Sequence, residues 1–413
     1  MKIKYLIFLF LLLFGVFFME YGFCAYRWVT PPGIAIVTDR SGEQLIPDKA
    51  TVHLLGDGAG NIPKTMLSYY AEKAFSYNLL NGIYSYSGGS RRARLTVSAP
   101  LQRAALAALG ERRGTVAVMN YQTGEILCAV TSPTFDPENR GETVEGMFVN
   151  RFIRGRYTPG SIYKLVTLAA ALEDDPEIES RVFSCKGEQH FGTDKVTCPK
   201  PHGKQTLQEA FRNSCNCAFA ALAAELGEEK MTHYADKFGL TAPISFDGFT
   251  TASGRYDAKI SLPWSGAGQG DTKINPCAFL TFLSAIARDG QGRRPYLMAQ
   301  IRQGYKIHYR AKPISNAPIL SPETAEILRT YLRSNVEKKY GDESFGGLTV
   351  CAKTGTAEVG GDQKPNAMFT GFVTDEEYPL AFIICVENAG YGGTVCIPMA
   401  SAVLEACKDA LDS

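Results

Sequence analysis

Segments with the composition of β-strands lie near both ends of this 413-residue chain, and the stretch between them is mostly helical in pattern. The strand-like segments are residues 116–119, 126–130, 350–358, 367–374 and 380–387. A helical region is predicted from about residue 161 to 335, and a closing helix over residues 400–411. Strands so far apart in the sequence can form one sheet only if the C-terminal part of the chain folds back beside the early strands. The predicted fold is therefore α+β, an antiparallel sheet packed against helices.

Ser161 and Lys164 lie at the start of an apolar run at residues 165–172, which is typical of a buried helix. Residues three apart share one face of a helix, so the Lys164 amine can reach the Ser161 hydroxyl. A serine becomes a strong nucleophile only when a nearby base takes its proton. A Ser-x-x-Lys pair also occurs by chance, with the serine as a helix cap and the lysine in solvent.

Two further motifs follow along the chain. They are Ser214 and Asn216, in the pattern Ser-x-Asn, and then Lys353, Thr354, Gly355 and Thr356. The first lies between two helical stretches, and the second lies in a segment with strand composition. Gly355 would leave this strand open to the close approach of a substrate backbone. The order Ser-x-x-Lys, Ser-x-Asn, Lys-Thr-Gly is that of acyl-serine enzymes acting on β-lactams and D-Ala-D-Ala peptides.

Beyond these motifs the chain resembles the class B penicillin-binding proteins, the monofunctional D,D-transpeptidases of bacterial cell-wall synthesis. The similar segments are residues 39–42, 95–102, 114–127, 132–137, 150–151, 157–161, 268–270 and 369–373. The resemblance covers about residues 90–410. It implies a penicillin-binding transpeptidase fold. The region before the catalytic domain is short, which indicates a compact subtype with a reduced pedestal.

The resemblance implies roles in an acyl-transfer reaction. Ser161 would attack the carbonyl of the penultimate D-Ala of a stem peptide, and Lys164 would accept its proton. Ser214 would relay a proton towards the leaving D-Ala, while Asn216 would bind the substrate amide and hold Lys164. A neutral Lys164 needs a lowered pKa, which burial and the nearby charge of Lys353 would favour.

The resemblance also implies how ligands bind. Lys353, Thr354 and Thr356 would hold the terminal carboxylate, and the N–H groups of Ser161 and Thr356 would form an oxyanion hole. The expected ligands are stem peptides ending in D-Ala-D-Ala and β-lactam antibiotics, with no cofactor. A membrane glycosyltransferase of the shape, elongation, division and sporulation type would supply the glycan strands, because no polymerase domain fits in this chain.

Three other functions remain open. A D,D-carboxypeptidase has the same catalytic residues and differs only in using water as the acceptor. A β-lactamase would need an efficient base for deacylation, and no Glu-x-x-Leu-Asn segment is found; the second motif also has Cys215 where Ser-Asp-Asn enzymes have aspartate. A catalytically inactive scaffold is disfavoured because all the motif residues are intact.

The N-terminus predicts a membrane anchor, with the core of a signal peptide as the alternative. Residues 5–19 form an unbroken apolar run, preceded by Lys2 and Lys4. We expect an anchor at residues 1–26, a short pedestal at 27–112 and the transpeptidase domain at 113–413. The protein would be a single-pass protein of the cell membrane with its catalytic domain outside. The 43 basic and 42 acidic residues nearly cancel, which disfavours a nucleic-acid partner.

The chain has eleven cysteines, most of them in apolar settings typical of buried thiols. An extracellular location favours a disulfide between Cys185 and Cys198, as in parts of the family. A zinc site is an alternative, and its candidate ligands are Cys185, Cys198, His202, Cys215 and Cys217. Their spacing lacks paired Cys-x-x-Cys knuckles, so no metal site is predicted. Free thiols are a third alternative.

Overall fold

The structure is a computed structural model that describes residues 10, 12–16, 36–66, 91–303 and 305–412. Most of the predicted anchor and part of the predicted pedestal, residues 27–35 and 67–90, lie outside these described residues. Within the described part, no helix combines the length and the apolar character that a membrane span requires.

Fifteen strands and ten α-helices are described. The strands are β1 (Ile36–Thr38), β2 (Arg91–Leu95), β3 (Gly114–Asn120), β4 (Ile126–Ser132), β5 (Val182–Cys185), β6 (Glu188–Phe191), β7 (Asp194–Thr197), β8 (Gly203–Thr206), β9 (Ser245–Phe246), β10 (Phe249–Thr250), β11 (Met298–Gln303), β12 (Lys306–Arg310), β13 (Val350–Ala357), β14 (Asn366–Val373) and β15 (Leu380–Val386). The α-helices are α1 (Val52–Leu55), α2 (Ala99–Leu109), α3 (Arg151–Arg154), α4 (Lys164–Asp174), α5 (Leu207–Arg212), α6 (Asn216–Lys237), α7 (Leu262–Gly266), α8 (Pro276–Ala287), α9 (Pro322–Asn335) and α10 (Gly392–Asp412).

The central sheet is antiparallel and has five strands in the order β13-β14-β15-β3-β4. Strand β15 pairs with β3 along its whole length, with Leu380 opposite Asn120 and Val386 opposite Gly114. This pairing joins the C-terminal strands to the early hairpin, and it confirms the predicted α+β fold. Strand β13, which carries Lys353, is an edge strand, so one side of its backbone is not paired within the sheet.

Both faces of the central sheet are buried. In β3, Val116 and Val118 pack with one hydrophobic cluster, and Ala117 and Met119 pack with another. Successive side chains of a strand point to opposite faces, so a strand covered on both sides is apolar throughout. Helices α2 and α10 cover the first face, and α4 and α8 belong to the cluster on the second.

Helix α4 lies at the centre of the helical layer. Its residues Leu165 to Leu172 are all buried, and Leu168 has no exposed surface. A helix that is apolar on every side is stable only inside a core. Lys164, the first residue of α4, is also completely buried, which is unusual for a lysine.

A second sheet has four strands in the order β1-β2-β11-β12. Strand β2, from the predicted pedestal, pairs antiparallel with β11, which lies within the predicted catalytic domain. The Asp39 carboxylate joins this sheet to α2: one oxygen accepts from Ser41 and Gly42, and the other accepts from the N–H of Ala99 at 3.0 Å. This carboxylate therefore stabilises the start of α2.

The region from 161 to 335 is less helical than predicted. It contains the paired strands β5–β8, β6–β7, β9–β10 and β11–β12. Most of these strands are four residues or shorter, or fully exposed like β12, so they have no apolar alternation to reveal them. The closing helix begins at Gly392 rather than at residue 400, and it continues through Pro398.

Candidate active site

Ser161 lies in a single 3₁₀ turn, Gly160–Ile162, directly before α4. Gly160 has a φ of +54°, and a Cβ on it would lie 2.3 Å from the Thr356 carbonyl oxygen. Its N–H donates to the Gly268 carbonyl at 2.8 Å. A Cβ on Gly268 would in turn lie 2.1 Å from the Gly160 carbonyl oxygen. The two glycines thus let the serine turn sit tightly between β13 and the 268–270 loop.

The Lys164 amine reaches Ser161 as predicted. Its Nζ donates to Ser161 Oγ at 2.7 Å and to Asn216 Oδ1 at 2.8 Å. Burial lowers the pKa of Lys164 from its usual value to about 7. Near neutral pH a large share of Lys164 is therefore uncharged and able to accept a proton.

Positive charges repel one another in this part of the site. After burial, the charge of Lys339 contributes to lowering the pKa of Lys164. Burial is the largest cause of the lowered pKa of Lys353, followed by the charges of Lys164 and Lys339. Together they hold this pKa well below the usual range. Because Lys353 is 1% exposed, its charged form has almost no contact with water.

The Ser-x-Asn motif lies between α5 and α6, as predicted, and Asn216 is the first residue of α6. Ser214 has a φ of +55°, a left-handed conformation that costs a non-glycine residue of order 1 kcal/mol or more. Its Oγ accepts a hydrogen bond from Lys353 Nζ at 3.2 Å. Asn216 Nδ2 donates to the Thr197 carbonyl at 2.7 Å, so the Asn216 amide is held from both ends.

The Lys-Thr-Gly motif lies on the edge strand β13. Lys353 Nζ also donates to the Thr354 carbonyl at 3.0 Å, and the Thr354 hydroxyl lies 3.0 Å from the hydroxyl of Tyr340. The Thr356 hydroxyl accepts from the N–H of Gly392 at 3.4 Å. All three predicted motifs therefore meet at one place, where β13 faces the serine turn and the start of α6.

Gly355 also has a structural role within the protein. A Cβ at this position would lie 2.9 Å from both the Pro159 carbonyl and a methyl group of Ile162. The missing side chain therefore makes room for the serine turn. A bulkier residue would push the turn away from the strand.

Several residues around the site had no motif to reveal them. Tyr340 also accepts from the N–H of Thr354 at 3.1 Å, and Lys339 Nζ donates to the Arg212 carbonyl at 3.0 Å. Both lie in a short π-helical turn, Val336–Tyr340, at the end of α9. Their sequence context is an ordinary polar helix end, and only the tertiary fold brings them to β13.

A cluster of thiols lies beside the site. The ligand atoms of Cys185, Cys198, His202 and Cys215 are all within 4.8 Å of one another. The ten cysteines that the structure describes are free thiols, which agrees with the free-thiol alternative rather than with a Cys185–Cys198 disulfide. Hydrogen bonding from the Cys215 thiol lowers the pKa of Cys198, and this effect outweighs the opposing effect of burial. The fold therefore brings together donors from separate segments, which their spacing along the chain did not predict.

Comparisons with known proteins agree with this geometry. The family described as "Penicillin binding protein transpeptidase domain" matches residues 114–405. A relative named peptidoglycan D,D-transpeptidase PbpA, from Mycolicibacterium smegmatis, is 27% identical over 75% of this chain and 71% of its own length. Stage V sporulation protein D of Bacillus subtilis is 30% identical over 70% of this chain but only 48% of its own length.

Solved structures give the same result for the fold. Penicillin-binding protein A from M. tuberculosis, as an acyl-enzyme complex with ceftriaxone, has a TM-score of 0.79 and 23% identity. The match covers 90% of this chain and 97% of that one. A D,D-transpeptidase domain from Eggerthella lenta has a TM-score of 0.77, at 25% identity, over 91% of this chain and 98% of that one. The family match, the relatives and the shared fold lead to one conclusion: this chain belongs to the penicillin-binding protein transpeptidase family, as a class B penicillin-binding protein.

Proposed function

We propose that this protein is a peptidoglycan D,D-transpeptidase that cross-links stem peptides through an acyl-serine intermediate and is acylated by β-lactams. The observation that carries the proposal is the Lys164 amine, which is buried, has a pKa near neutrality, and lies 2.7 Å from Ser161 Oγ. The names of the relatives support it, since one is a peptidoglycan D,D-transpeptidase and a solved neighbour is a ceftriaxone acyl-enzyme.

In the acylation step, neutral Lys164 takes the Ser161 proton as the Oγ attacks the penultimate D-Ala carbonyl. Collapse of the tetrahedral intermediate breaks the peptide C–N bond and releases the terminal D-Ala. The amine of the leaving D-Ala needs a proton. Ser214, whose Oγ accepts a hydrogen bond from Lys353 Nζ, relays to it the proton that Lys164 took from Ser161. Asn216 keeps the Lys164 amine aimed at Ser161.

Substrate binding uses the free edge of β13. A stem peptide in extended form can add to this edge as a further strand, with main-chain hydrogen bonds giving the alignment. The N–H groups of Ser161 and Thr356 would then stabilise the oxyanion. Lys353, Thr354 and Thr356 would bind the terminal carboxylate. An arriving carboxylate supplies the negative charge that the buried Lys353 lacks, so binding and protonation of Lys353 are coupled.

Resolution of the acyl-enzyme by an amine, rather than by water, distinguishes a transpeptidase from the alternatives. The amines of Lys164 and Lys353 donate to hydroxyl, amide and carbonyl oxygens in the described structure, and none of these four partners is a carboxylate. A β-lactamase would need a general base to activate water for deacylation. We therefore expect a long-lived penicillin adduct.

We further propose that residues 1–26 anchor the protein in the cell membrane with the catalytic domain outside. The apolar run at 5–19 after Lys2 and Lys4 supports this topology. A membrane glycosyltransferase of the shape, elongation, division and sporulation type is the proposed partner, because a cross-linking enzyme needs newly made glycan strands.

The decisive experiment is labelling of the full chain with fluorescent penicillin. Wild type should form a stable covalent band, and peptide mass mapping should place the adduct on Ser161. Ser161→Ala should abolish the band without changing the melting temperature. Ser180→Ala, at an exposed serine, is the matched control and should label normally. Labelling of Ser161→Ala, or rapid turnover of penicillin with no lasting adduct, would overturn the proposal.

A further inference from the structure

The thiol cluster beside the active site is held in place by backbone pairing. Cys185 ends β5 and pairs with Gly203 of β8, while the N–H of His202 donates to the Cys185 carbonyl at 3.1 Å. Cys198, just after β7, donates its N–H to the Gly187 carbonyl at 2.7 Å. Cys215 lies between α5 and α6. Four side chains from separate turns of the chain are thus positioned before any ligand binds.

The distances in the cluster suit a tetrahedral metal ion. Cys198 Sγ lies 3.8 Å from Cys215 Sγ. An ion with Zn–S bonds of about 2.3 Å holds two tetrahedral sulfurs about 3.8 Å apart. A disulfide would need a separation of about 2.0 Å. The observed spacing therefore matches two ligands of one ion and is far too long for a covalent bond.

His202 provides an independent indication of a ligand. Its Nδ1 is buried and has no hydrogen-bond partner in the described structure. Buried ring nitrogens are normally hydrogen-bonded, because a buried polar atom without a partner destabilises the fold. A metal bond at Nδ1 would satisfy it. An orphaned imidazole nitrogen next to three thiols is the arrangement expected of a metal-binding site.

We propose that Cys185, Cys198, His202 and Cys215 bind one Zn²⁺ ion. Three thiolates and an imidazole form a soft donor set, which favours zinc over magnesium or calcium. Four protein ligands leave no open position, so the ion is structural and does not activate water. Cys217, whose Sγ lies 3.6 Å from that of Cys198, is outside the ligand group.

The proposed zinc site is connected to the catalytic residues through the position of its ligands in the chain. This connection rests on the proposed function. Cys215 is the middle residue of the Ser-x-Asn motif, and Asn216 Nδ2 donates to the carbonyl of Thr197, the neighbour of Cys198. An ion bridging Cys198 and Cys215 therefore closes a short ring that contains Asn216, which in turn holds Lys164. The ligands would act as positioning residues for the base.

Metal analysis of the full chain, purified in mild detergent with reductant and without chelators, tests the site itself. Wild type should carry about one zinc per chain. Cys198→Ser and His202→Ala should each lose it, while Cys407→Ser, at a buried thiol in α10, should retain it. Replacing zinc by Co²⁺ in wild type should give the absorption bands of a tetrahedral thiolate complex, which does not depend on any variant folding.

Acylation kinetics test the positioning role. Zinc-free Cys198→Ser, measured well below its melting temperature, should show an acylation rate constant about 10- to 100-fold lower with little change in the dissociation constant of penicillin. The metal site would be overturned by equal zinc content in wild type and both ligand variants, or by a folded wild type that lacks tetrahedral cobalt bands. A Cys185–Cys198 disulfide, detected by alkylation and mass spectrometry, would overturn it as well. Zinc retained in a protein that penicillin does not label would refute the proposed function alone.

Discussion

The pH dependence of acylation follows directly from the environment of Lys164. This lysine acts as a base only when neutral, and burial lowers its pKa to about 7. An exposed lysine, with a pKa near 10.4, would be neutral in only about one molecule in 2,500 at pH 7. The buried amine is neutral in about half of them. The fold thus raises the amount of active base by roughly a thousandfold.

The expected magnitude can be worked out from this pKa. Between pH 8 and pH 6 the neutral fraction of Lys164 falls from about nine tenths to about one tenth. The acylation rate constant at saturating penicillin should therefore fall about tenfold over this interval and tenfold again per unit below pH 6. Above pH 8 it should level off, because the base is then fully deprotonated.

Stopped-flow acylation, followed through a chromogenic cephalosporin, separates the rate constant from the dissociation constant. This separation matters because Lys353 also has a lowered pKa, and its protonation should affect carboxylate binding rather than the chemical step. Lys164→Arg keeps a positive charge but cannot deprotonate in this range, so acylation should fall by about two to four orders of magnitude. Lys312→Arg, at an exposed lysine, is the control. A rate constant that is flat down to pH 5, or that rises only near pH 10, would refute the assignment of Lys164 as base.

Further predictions address packing and partners. Gly160→Ala should lower the free energy of unfolding by at least about 1–3 kcal/mol and abolish penicillin labelling, because its Cβ would meet the Thr356 carbonyl. Gly192→Ala is the control, since φ is also positive there but the space is open. In thermal unfolding it should destabilise the protein less, and penicillin should label it normally. Leu168→Ala should lower the free energy of unfolding by about 2–5 kcal/mol in urea titration, and a loss below 1 kcal/mol would contradict its place in the core. The full chain should co-purify from membranes with a glycosyltransferase; consistent recovery alone from cells rich in that polymerase would argue against the partner.

Local sequence patterns were sufficient for much of this protein. The strands β3, β4, β13, β14 and β15 were predicted to within a few residues, because a strand buried on both faces is a short continuous apolar run. The pairing of Ser161 with Lys164 was also predictable, since it depends only on three residues of chain at a helix start. The Ser-x-Asn and Lys-Thr-Gly motifs were found in the local contexts expected for them.

Only the tertiary structure decided how distant segments meet. The charge of Lys339 lowers the pKa of Lys164 because the end of α9 folds back onto β13, a contact that no motif revealed. Gly355 makes room for the serine turn, which no property of the strand itself could reveal. The exposed hairpins at residues 182–206 were missed because polar strands have no apolar period.

The cysteines illustrate the difference most clearly. The sequence by itself supplied the candidate residues and their number, but chain spacing indicated a disulfide or free thiols rather than a metal site. The fold brings Cys185, Cys198, His202 and Cys215 within 4.8 Å of one another by pairing β5 with β8 and by placing the start of α6 against them. Metal-binding geometry depends on distances between side chains in space. When the ligands come from separate segments, those distances are set by strand pairing and helix packing, which local sequence does not encode.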